Sequence, residues 1–259
     1  MKQISYYDDS HYDYKKYWET RKYENQAEKI ALKKLFRLIR PKNLPAGRHG
    51  RIIDIGGGFG RLIPDYALLF KSCLLIEPSE KLLKEAHKVC QKYPNVTLQK
   101  SFVEQLPVQD ESFDVALMVR VAHHLSDLRT MIQEVKRVLK PGGFFILEFA
   151  NKTHFKNRLE AIFHFNWRFF ADHTTESLKT KRSSNPFFNY HPNQIKTLLL
   201  SNHFQIIKCL SVSNFRQAWF KKLLPIKFLL WLENQKQTMC FGQSLHLGPS
   251  IFVLAQKEK

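Results

Sequence analysis

A glycine-rich turn that directly follows a short apolar run constrains this 259-residue chain more than any other feature. Ile52 and Ile53 lead into Asp54, and three glycines then alternate along the chain, at Gly56, Gly58 and Gly60. Glycine lets backbone amides approach a ligand closely, so a strand that enters such a turn before a helix forms a ligand cradle. Arg61 occupies the place where a dinucleotide-binding fingerprint has a small residue, and the pattern therefore departs from that fingerprint.

Two acidic residues end the first two predicted strands. Asp54 closes the first, and the apolar run 73–76 reads as a second strand that ends in Glu77. A carboxylate at the end of a buried strand is costly unless a donor or a cation meets it. A carboxylate at the second strand end can also accept both hydroxyls of a ribose. Together, the two acids predict a nucleoside joined to an amine-bearing group.

The rest of the first 150 residues alternates between strand and helix patterns. Strands are predicted at 51–56, 73–77, 95–101, 113–119 and 143–150, and helices at 60–70, 80–92 and 127–139. This alternation predicts a parallel sheet with helices on both faces, and ligands in such sheets bind at the carboxyl ends of the strands. Later elements are predicted at 191–200 (helix), 204–210 (strand) and 249–255 (strand), after amphipathic helices within 14–40 that Pro41 ends.

The ordered motifs over roughly residues 50–150 resemble the class I S-adenosylmethionine-dependent methyltransferases, in particular the type 11 group of small-molecule methyltransferases. The motifs are Asp54-Ile-Gly-Gly-Gly-Phe-Gly60, Ile76-Glu-Pro-Ser79, Glu104-Gln-Leu-Pro107, Ser112-Phe-Asp-Val115, His123-His-Leu125 and Val135-Lys-Arg-Val-Leu-Lys-Pro-Gly-Gly143. The resemblance implies a Rossmann-like α/β domain over 50–259, with a mostly parallel sheet and an antiparallel last strand. It also implies helical cap insertions at about 151–190 and 214–248, after an N-terminal helical extension at 1–49.

The resemblance further implies S-adenosylmethionine as the cofactor. Asp54 would hold its amino group, the glycine turn would pass under its methionine part, and Glu77 with the following Pro78 would hold the ribose. Phe102 and Val103 would contact the adenine. Phe102 replaces an acid that many relatives have there, which removes a side-chain acceptor for the adenine amine. Arg120 would pair with the cofactor carboxylate, with an acidic substrate or with a nearby acid.

Two adjacent histidines, His123 and His124, follow the fourth strand and are candidates for a general base, since histidine titrates near neutral pH. A structural role for them is the alternative. Methyl transfer is an in-line displacement that depends strongly on positioning, so a base is optional. Further candidates lie in the flanks, either over the cofactor or in the core: Tyr14, Tyr17, Trp18, Tyr23, Tyr190 and His191.

The formal charge of +18 is unevenly distributed. Residues 51–150 hold 13 basic and 12 acidic residues, whereas 151–259 hold 16 basic and only 5 acidic ones. A basic rim favours acidic substrates, anionic lipid surfaces or RNA. An RNA or protein methyltransferase is therefore an alternative, although the fourth strand lacks the Asn/Asp-Pro-Pro-aromatic tetrad of base amino-group methylation. A non-catalytic cofactor-binding protein of the same fold is the other.

The segment 219–232 mixes tryptophan, phenylalanine and leucine with lysine, as helices at a membrane interface do. It predicts either a peripheral membrane contact or a cap over an apolar acceptor, and Pro225 favours two short helices over one. No signal peptide or membrane-spanning run is recognised, and the four cysteines are scattered. The expected location is the cytoplasm, with contact at the inner membrane face open. The acceptor is expected to be a small molecule, and the sequence leaves the oligomeric state undetermined.

Overall fold

The computed structural model describes Asp8 and residues 13–39, 50–178, 187–238 and 247–259. The strands are β1 (Arg51–Ile55), β2 (Ser72–Ile76), β3 (Val96–Gln99), β4 (Phe113–Met118), β5 (Leu139–Ala150), β6 (Glu176–Leu178), β7 (Phe187–Asn189), β8 (Phe204–Val212) and β9 (Ser250–Lys257). The helices are α1 (Tyr14–Glu19), α2 (Lys22–Ile39), α3 (Ile63–Tyr66), α4 (Glu80–Cys90), α5 (Leu128–Val138), α6 (Phe155–Phe163), α7 (Arg168–Ala171), α8 (Pro192–Ser201), α9 (Ala218–Leu223) and α10 (Ile226–Thr238).

Seven strands form one sheet in the order β3-β2-β1-β4-β5-β9-β8. β1 to β5 pair in parallel, and β9 runs antiparallel to both of its neighbours. The predicted fold class, a Rossmann-like sheet with an antiparallel last strand, is therefore confirmed. A separate two-stranded sheet joins β6 to β7.

Both faces of the sheet are covered because its strands are apolar on both sides. On one face, Ile53 packs in a cluster with the inward residues of α5 and α8. On the other, Ile52 packs in a cluster with α2, α3 and Leu229 of α10. Such two-sided burial is typical of parallel strands and explains their near-continuous apolar sequence.

The predicted helix at 60–70 is wrong in its extent, since only Ile63–Tyr66 is helical. Gly60 has a φ of +78°, which delays the helix start. At the other end, the Asn95 amide donates to the carbonyls of Ala67 (2.8 Å) and Phe70 (3.0 Å) and so replaces the hydrogen bonds of a further turn. The predicted Pro41 helix stop lies outside the described residues.

The N-terminal helix α2 is part of the core rather than an appendage, because it packs against α10 and β8. The Tyr23 hydroxyl donates to the buried Glu233 at 2.6 Å, and Gln237 donates to the carbonyl of Ala27 at 3.0 Å. Lys34 reaches the carbonyl of Asn234 at 2.6 Å. The described part of the second insertion, up to residue 238, thus rests on α2 through α10. The break between α9 and α10 at Pro225 confirms the prediction of two short helices.

The two predicted insertions leave the sheet at the edge where the parallel strands end, called here the carboxyl edge. Ala150 and Val212, the last residues of β5 and β8, both stand opposite Ser250, the first residue of β9. The segments that begin after 150 and after 212 therefore start at the same edge as the glycine turn. This is the edge at which parallel α/β sheets bind ligands.

Candidate active site

The glycine turn after β1 is held against the end of β2 by backbone hydrogen bonds. The amides of Gly56 and Gly57 donate to the carbonyl of Ile76 at 2.7 and 3.1 Å. Gly56 has a φ of +70°, and a Cβ there would lie 2.3 Å from Cγ2 of Val121. Only glycine satisfies both the backbone angle and the space at this position.

The two acidic residues at the ends of β1 and β2 lie on either side of this turn, and both are buried. Glu77 accepts hydrogen bonds from the amide of Gly58 through Oε2 and from the amide of Ser79 through Oε1, each at 2.9 Å. Asp54 is 1% exposed, and its Oδ2 lies 2.8 Å from the position of a Cβ on Gly57. By hydrogen-bond geometry that Asp54 oxygen accepts no bond within the described part of the chain, although the Tyr66 hydroxyl is near enough to favour its charged form.

Burial raises the pKa of both carboxyl groups. For Asp54 the pKa is raised to about 7 by desolvation, which Tyr66 and Arg61 only partly offset. For Glu77 it is also raised to about 7 by desolvation, against the two amide hydrogen bonds that favour the charged form. Both groups therefore gain from a donor or a cation delivered by a ligand.

These residues fit S-adenosylmethionine on two observations. The buried Asp54 oxygen without a donor suits a ligand ammonium, and each Glu77 oxygen has acceptor capacity beyond its one amide hydrogen bond. A Cβ on Gly56 or Gly57 would lie within 2.6 Å of a neighbouring side chain, so side chains are excluded from the turn itself. Glycine turns of this kind let backbone amides approach a ligand closely.

The residues predicted at the adenine follow β3, on the strand next to the one that ends in Glu77. The Glu77 amide donates to the carbonyl of Gln99 at 3.2 Å, which ties the two strand ends together. Phe102 is half-buried and Val103 is buried. Pro78, also half-buried, separates Glu77 from the helix cap Ser79. The predicted adenine-side residues therefore follow strands that are direct neighbours.

The aromatic helix α1 lies over the glycine turn. The Tyr14 ring comes within 3.5 Å of the position of a Cβ on Gly58 and contacts Phe59 edge-on, with centroids 5.8 Å apart. Trp18 is buried, and the Arg61 guanidinium lies 3.8 Å from its ring centroid. Sequence reasoning did not recognise Arg61 as the residue that fastens this helix.

Arg120 contacts this helix instead of forming a side-chain ion pair with a carboxylate among the described residues. Its Nη2 donates to the Tyr17 hydroxyl at 3.1 Å. Its backbone has a φ of +66°, and its amide donates to Glu148 at 2.8 Å. Glu148 also accepts from the Ser250 hydroxyl. A single acid inside the apolar strand β5 was the sequence signal that could have revealed Glu148.

His123 and His124 lie in a short 3₁₀ turn, Ala122–His124, with ring centroids 4.1 Å apart. His123 stacks on Phe187 of β7 at 4.4 Å. Burial lowers the pKa of His123 well below its usual range, and burial together with Arg120 lowers the pKa of His124 to about 4. Both rings are therefore neutral at pH 7 and weakly basic. A general base works best with a pKa near the working pH, so neither histidine is well suited to that role.

The other flank candidates have structural partners. Tyr190 is buried and donates to the carbonyls of Ala122 (3.2 Å) and Leu125, so that it holds the histidine-bearing turn. His191 caps α8 by accepting from the amide of Asn193 at 3.1 Å. Tyr23 is engaged with Glu233 as described above. Of the flank candidates, Tyr14 contacts the glycine turn and Tyr17 contacts Arg120.

A sequence profile of the methyltransferase-domain family, type 11, matches residues 53–147. The chain is 34% identical over 99 residues to the uncharacterized methyltransferase YcgJ of Bacillus subtilis, a match covering 38% of this chain and 39% of that protein. It is 30% identical over 105 residues to the demethylmenaquinone methyltransferase of Tropheryma whipplei, covering 40% and 44%. The matches thus span less than half of these curated relatives.

Solved structures extend the likeness to nearly the whole fold. The crystal structure of YcgJ superposes with a TM-score of 0.57 at 20% identity, over 90% of this chain and 99% of that one. The Burkholderia thailandensis 1,6-didemethyltoxoflavin-N1-methyltransferase, with bound 1,6-didemethyltoxoflavin and S-adenosylhomocysteine, superposes with a TM-score of 0.56 at 14% identity, over 88% and 79%. At such identities the likeness establishes the fold alone.

Proposed function

We propose that this chain, whose residues 53–147 belong to the class I S-adenosylmethionine-dependent methyltransferase domains of type 11, methylates a small hydrophobic or amphipathic acceptor. The observation that carries the proposal is the pair of buried carboxylates, Asp54 and Glu77, on either side of one glycine turn. A ligand without a hydrogen-bond donor leaves the Asp54 oxygen uncompensated, whereas an ammonium supplies both a donor and a positive charge.

Each protein group has a defined task in this proposal. Asp54 binds the amino group of the cofactor, Glu77 accepts from the ribose hydroxyls, and the backbone around Phe102 and Val103 contacts the adenine. When bound, S-adenosylmethionine supplies an electrophilic methyl group on a sulfonium. The chain itself supplies positioning, because in-line displacement needs the acceptor held opposite the leaving sulfur.

The buried histidines support a positioning role at the acceptor. Since both are neutral at pH 7, each can accept or donate a hydrogen bond to an acceptor hydroxyl without carrying a charge. The His123 Nδ1 is buried and has no hydrogen-bond partner within the described residues. Tyr190 fixes the turn that carries both rings, so their placement does not depend on the ligand.

A hydrophobic acceptor is supported by the apolar residues that the two insertions expose. Phe163, Phe165 and Trp167 in the first insertion, and Trp219 and Trp231 in the second, each leave more than half of their surface in solvent. Contiguous exposed apolar patches mark interaction surfaces, and these five side chains are the candidates for such a patch. A quinone-type acceptor, as named for the Tropheryma relative, belongs to the class that this surface suits.

Peripheral contact of residues 219–232 with an anionic membrane is the second part of the proposal. One side of α10 is inward through Leu229, Glu233 and Gln237, and the other exposes Phe228 and Trp231. Lys222 and Lys227 are exposed nearby in the same segment. Aromatic side chains next to lysines suit the interface of anionic lipids. Within the described ranges, no helix is long and apolar enough to cross a bilayer.

Calorimetry with S-adenosylmethionine tests the cofactor assignment. Wild-type protein is expected to bind, and Glu77→Ala is expected to weaken binding at least about tenfold, because a hydrogen bond to a charged group contributes ~1.5–3 kcal/mol. Glu80→Ala, which removes an exposed carboxylate three residues away, is the matched control and should bind normally. Absence of heat with wild-type protein contradicts the enzyme proposal and favours a protein that has lost cofactor use.

Co-sedimentation with vesicles of phosphatidylglycerol and phosphatidylcholine tests the membrane contact. The double variant Trp219→Ser, Trp231→Ser is expected to lower the bound fraction at least about tenfold, because interfacial binding scales with buried apolar area. Leu200→Ser removes a similarly exposed apolar side chain on α8 and is the control. Equal binding by the double variant and the wild type contradicts the proposed contact.

A further inference from the structure

Two arginines from separate parts of the chain contact Tyr17, and a third interacts with both of them electrostatically. Arg120 donates to the Tyr17 hydroxyl at 3.1 Å, and the Arg21 guanidinium lies 4.2 Å from the Tyr17 ring centroid. Arg216 follows β8 in the turn at the start of the second insertion. Arg216 is an exposed residue, and the pKa of its guanidinium is lowered by partial desolvation and by the charges of Arg120 and Arg21, so the three positive charges act on one another.

These guanidinium groups are poorly paired within the described part of the chain. Arg21 and Arg216 donate no side-chain hydrogen bond there, and Arg120 has a buried Nε without an acceptor. Among the described residues, the side-chain hydrogen bond of Arg120 goes to the Tyr17 hydroxyl. Five donors on each of these fixed cations leave a large unused capacity for an anion.

The carboxylates close to the cluster each have another partner, although Oε2 of Glu24 has no hydrogen-bond partner among the described residues. Glu28 pairs with Arg61 at 2.5 Å, and Glu24 pairs with Lys221 at 2.9 Å. Glu148 accepts from the Arg120 amide and from the Ser250 hydroxyl. Desolvation lowers the pKa of Arg120, but its interactions with Tyr17, Glu148 and Glu28 raise it overall, so this guanidinium stays charged. The cluster therefore holds positive charges close together, and an anion that contacts all three would be stabilised by them.

The backbone of Arg120 supplies a second, independent observation. Its φ of +66° is rare for a residue with a side chain, and the buried Glu148 holds its amide in that conformation. Strained residues that the surrounding structure enforces are concentrated at ligand-binding sites. In this conformation the amide of Arg120 bonds to Glu148, whereas its side chain contacts Tyr17 instead of forming an ion pair with Glu148.

We propose that Arg21, Arg120 and Arg216 form a subsite for an anionic group, a carboxylate or a phosphate, on the methyl acceptor. Guanidinium groups suit both anions because their planar donors match two oxygens at once. The position fits an acceptor rather than the cofactor, since Tyr14 covers the glycine turn and Tyr17 lies one helical turn further along α1, with ring centroids 5.9 Å apart. The subsite rests on the proposed function only in that its ligand is the acceptor.

Calorimetry with three ten-carbon probes tests the subsite: decanoate, decyl phosphate and decanol. Titrations are made without and with saturating S-adenosylhomocysteine, whose own carboxylate would occupy a cofactor subsite. One or both anionic probes are expected to bind at least about tenfold more tightly than decanol, also with S-adenosylhomocysteine present. Which of the two binds more tightly distinguishes a carboxylate from a phosphate ligand.

Charge-removing variants connect this preference to the cluster. Arg21→Gln and Arg216→Gln are each expected to reduce the preference at least severalfold, and Arg37→Gln, an exposed arginine near the far end of α2, is the control and should retain it. A circular dichroism melt checks that each variant folds, and Arg216→Lys should keep part of the preference. Equal binding of decanol, or an unchanged preference in both glutamine variants, overturns the subsite.

Occupancy of the cofactor site separates the two proposals. A preference that disappears when S-adenosylhomocysteine is bound overturns the subsite, because the arginines then serve the cofactor carboxylate. If S-adenosylhomocysteine does not bind at all, the proposed function fails, and the titrations without it still decide whether the arginines hold an anion. Raising the salt concentration should weaken anionic probes more than decanol.

Discussion

Replacing Asp54 with asparagine is expected to make the ligand-free protein more stable at neutral and alkaline pH while removing cofactor binding. The pKa of Asp54 is about 7 in the folded chain, against 3.8 for the ordinary side chain. Between these two values the folded state holds a proton that the unfolded state has lost. Stability therefore falls as pH rises through this window, because ionising the buried carboxyl group is unfavourable.

The size of the effect follows from the displacement of the pKa. A difference of about 3 units corresponds to ~4 kcal/mol lost by the wild type between pH 4 and pH 8, at 1.36 kcal/mol per unit. Of this loss, about 2–3 kcal/mol falls between pH 5 and pH 8. Asparagine has nearly the same shape and no charge, so the stability difference between Asp54→Asn and the wild type should shift by that amount in favour of the variant.

Urea unfolding of the ligand-free proteins at pH 5, 6, 7 and 8 measures this difference. Glu77→Gln is the matched comparison, since the pKa of Glu77 is also about 7. Both Glu77 oxygens accept from backbone amides, so the glutamine amide nitrogen would face an N–H group, and the variant should gain less than Asp54→Asn. A stability difference between Asp54→Asn and the wild type that does not change with pH refutes the reasoning.

Three other predictions concern the turn, the core and the pH dependence of binding. Gly56→Ala should lower the free energy of unfolding by about 1–3 kcal/mol more than Gly142→Ala in urea melts. The two glycines have similar φ values, +70° and +74°, but an added Cβ would lie 2.3 Å from Val121 at Gly56 and 3.8 Å from its nearest neighbour at Gly142. Equal losses would contradict a clash with Val121. Glu233→Ala should lower the free energy of unfolding by about 3 kcal/mol or more in the same assay, because it leaves the Tyr23 hydroxyl and the amides of residues 213 and 214 without their acceptor. Glu160→Ala, which removes an exposed carboxylate on α6, is the control. A loss as small as that of the control would refute the network. Cofactor binding should weaken as pH falls below about 7 and should release protons, because an ammonium favours the charged form of Asp54. Calorimetry in buffers of different ionisation heat measures this release. Proton uptake on binding would contradict the assignment of Asp54.

Local sequence patterns predicted much of the sheet and the glycine turn. The alternation of apolar strands and amphipathic helices depends on neighbouring residues, and the antiparallel last strand followed from the resemblance. The short α3 was missed because Asn95, almost thirty residues later, satisfies the carbonyls that a longer helix would have used. Side chains that replace backbone hydrogen bonds at such distances leave no signal in the helical period.

The predicted site was limited in the same way. Asp54 and Glu77 could be found because each ends a recognisable strand, and their role in binding stays a prediction. The cluster around Tyr17 could not be found, because Arg21, Arg120 and Arg216 meet only through the tertiary fold. Contacts of this kind depend on which elements become neighbours in space, and no single window of sequence contains them.

The hydrogen bond between Tyr23 and Glu233 joins residues 210 positions apart, and it has a consequence for biosynthesis. During translation the first helices emerge long before their partner α10 has been made. Until the ribosome has released most of the chain, α2 lacks one of its packing surfaces, and long-range contacts of this kind form slowly. A nascent chain should therefore become resistant to proteolysis at its N-terminal helices only after α10 has left the exit tunnel.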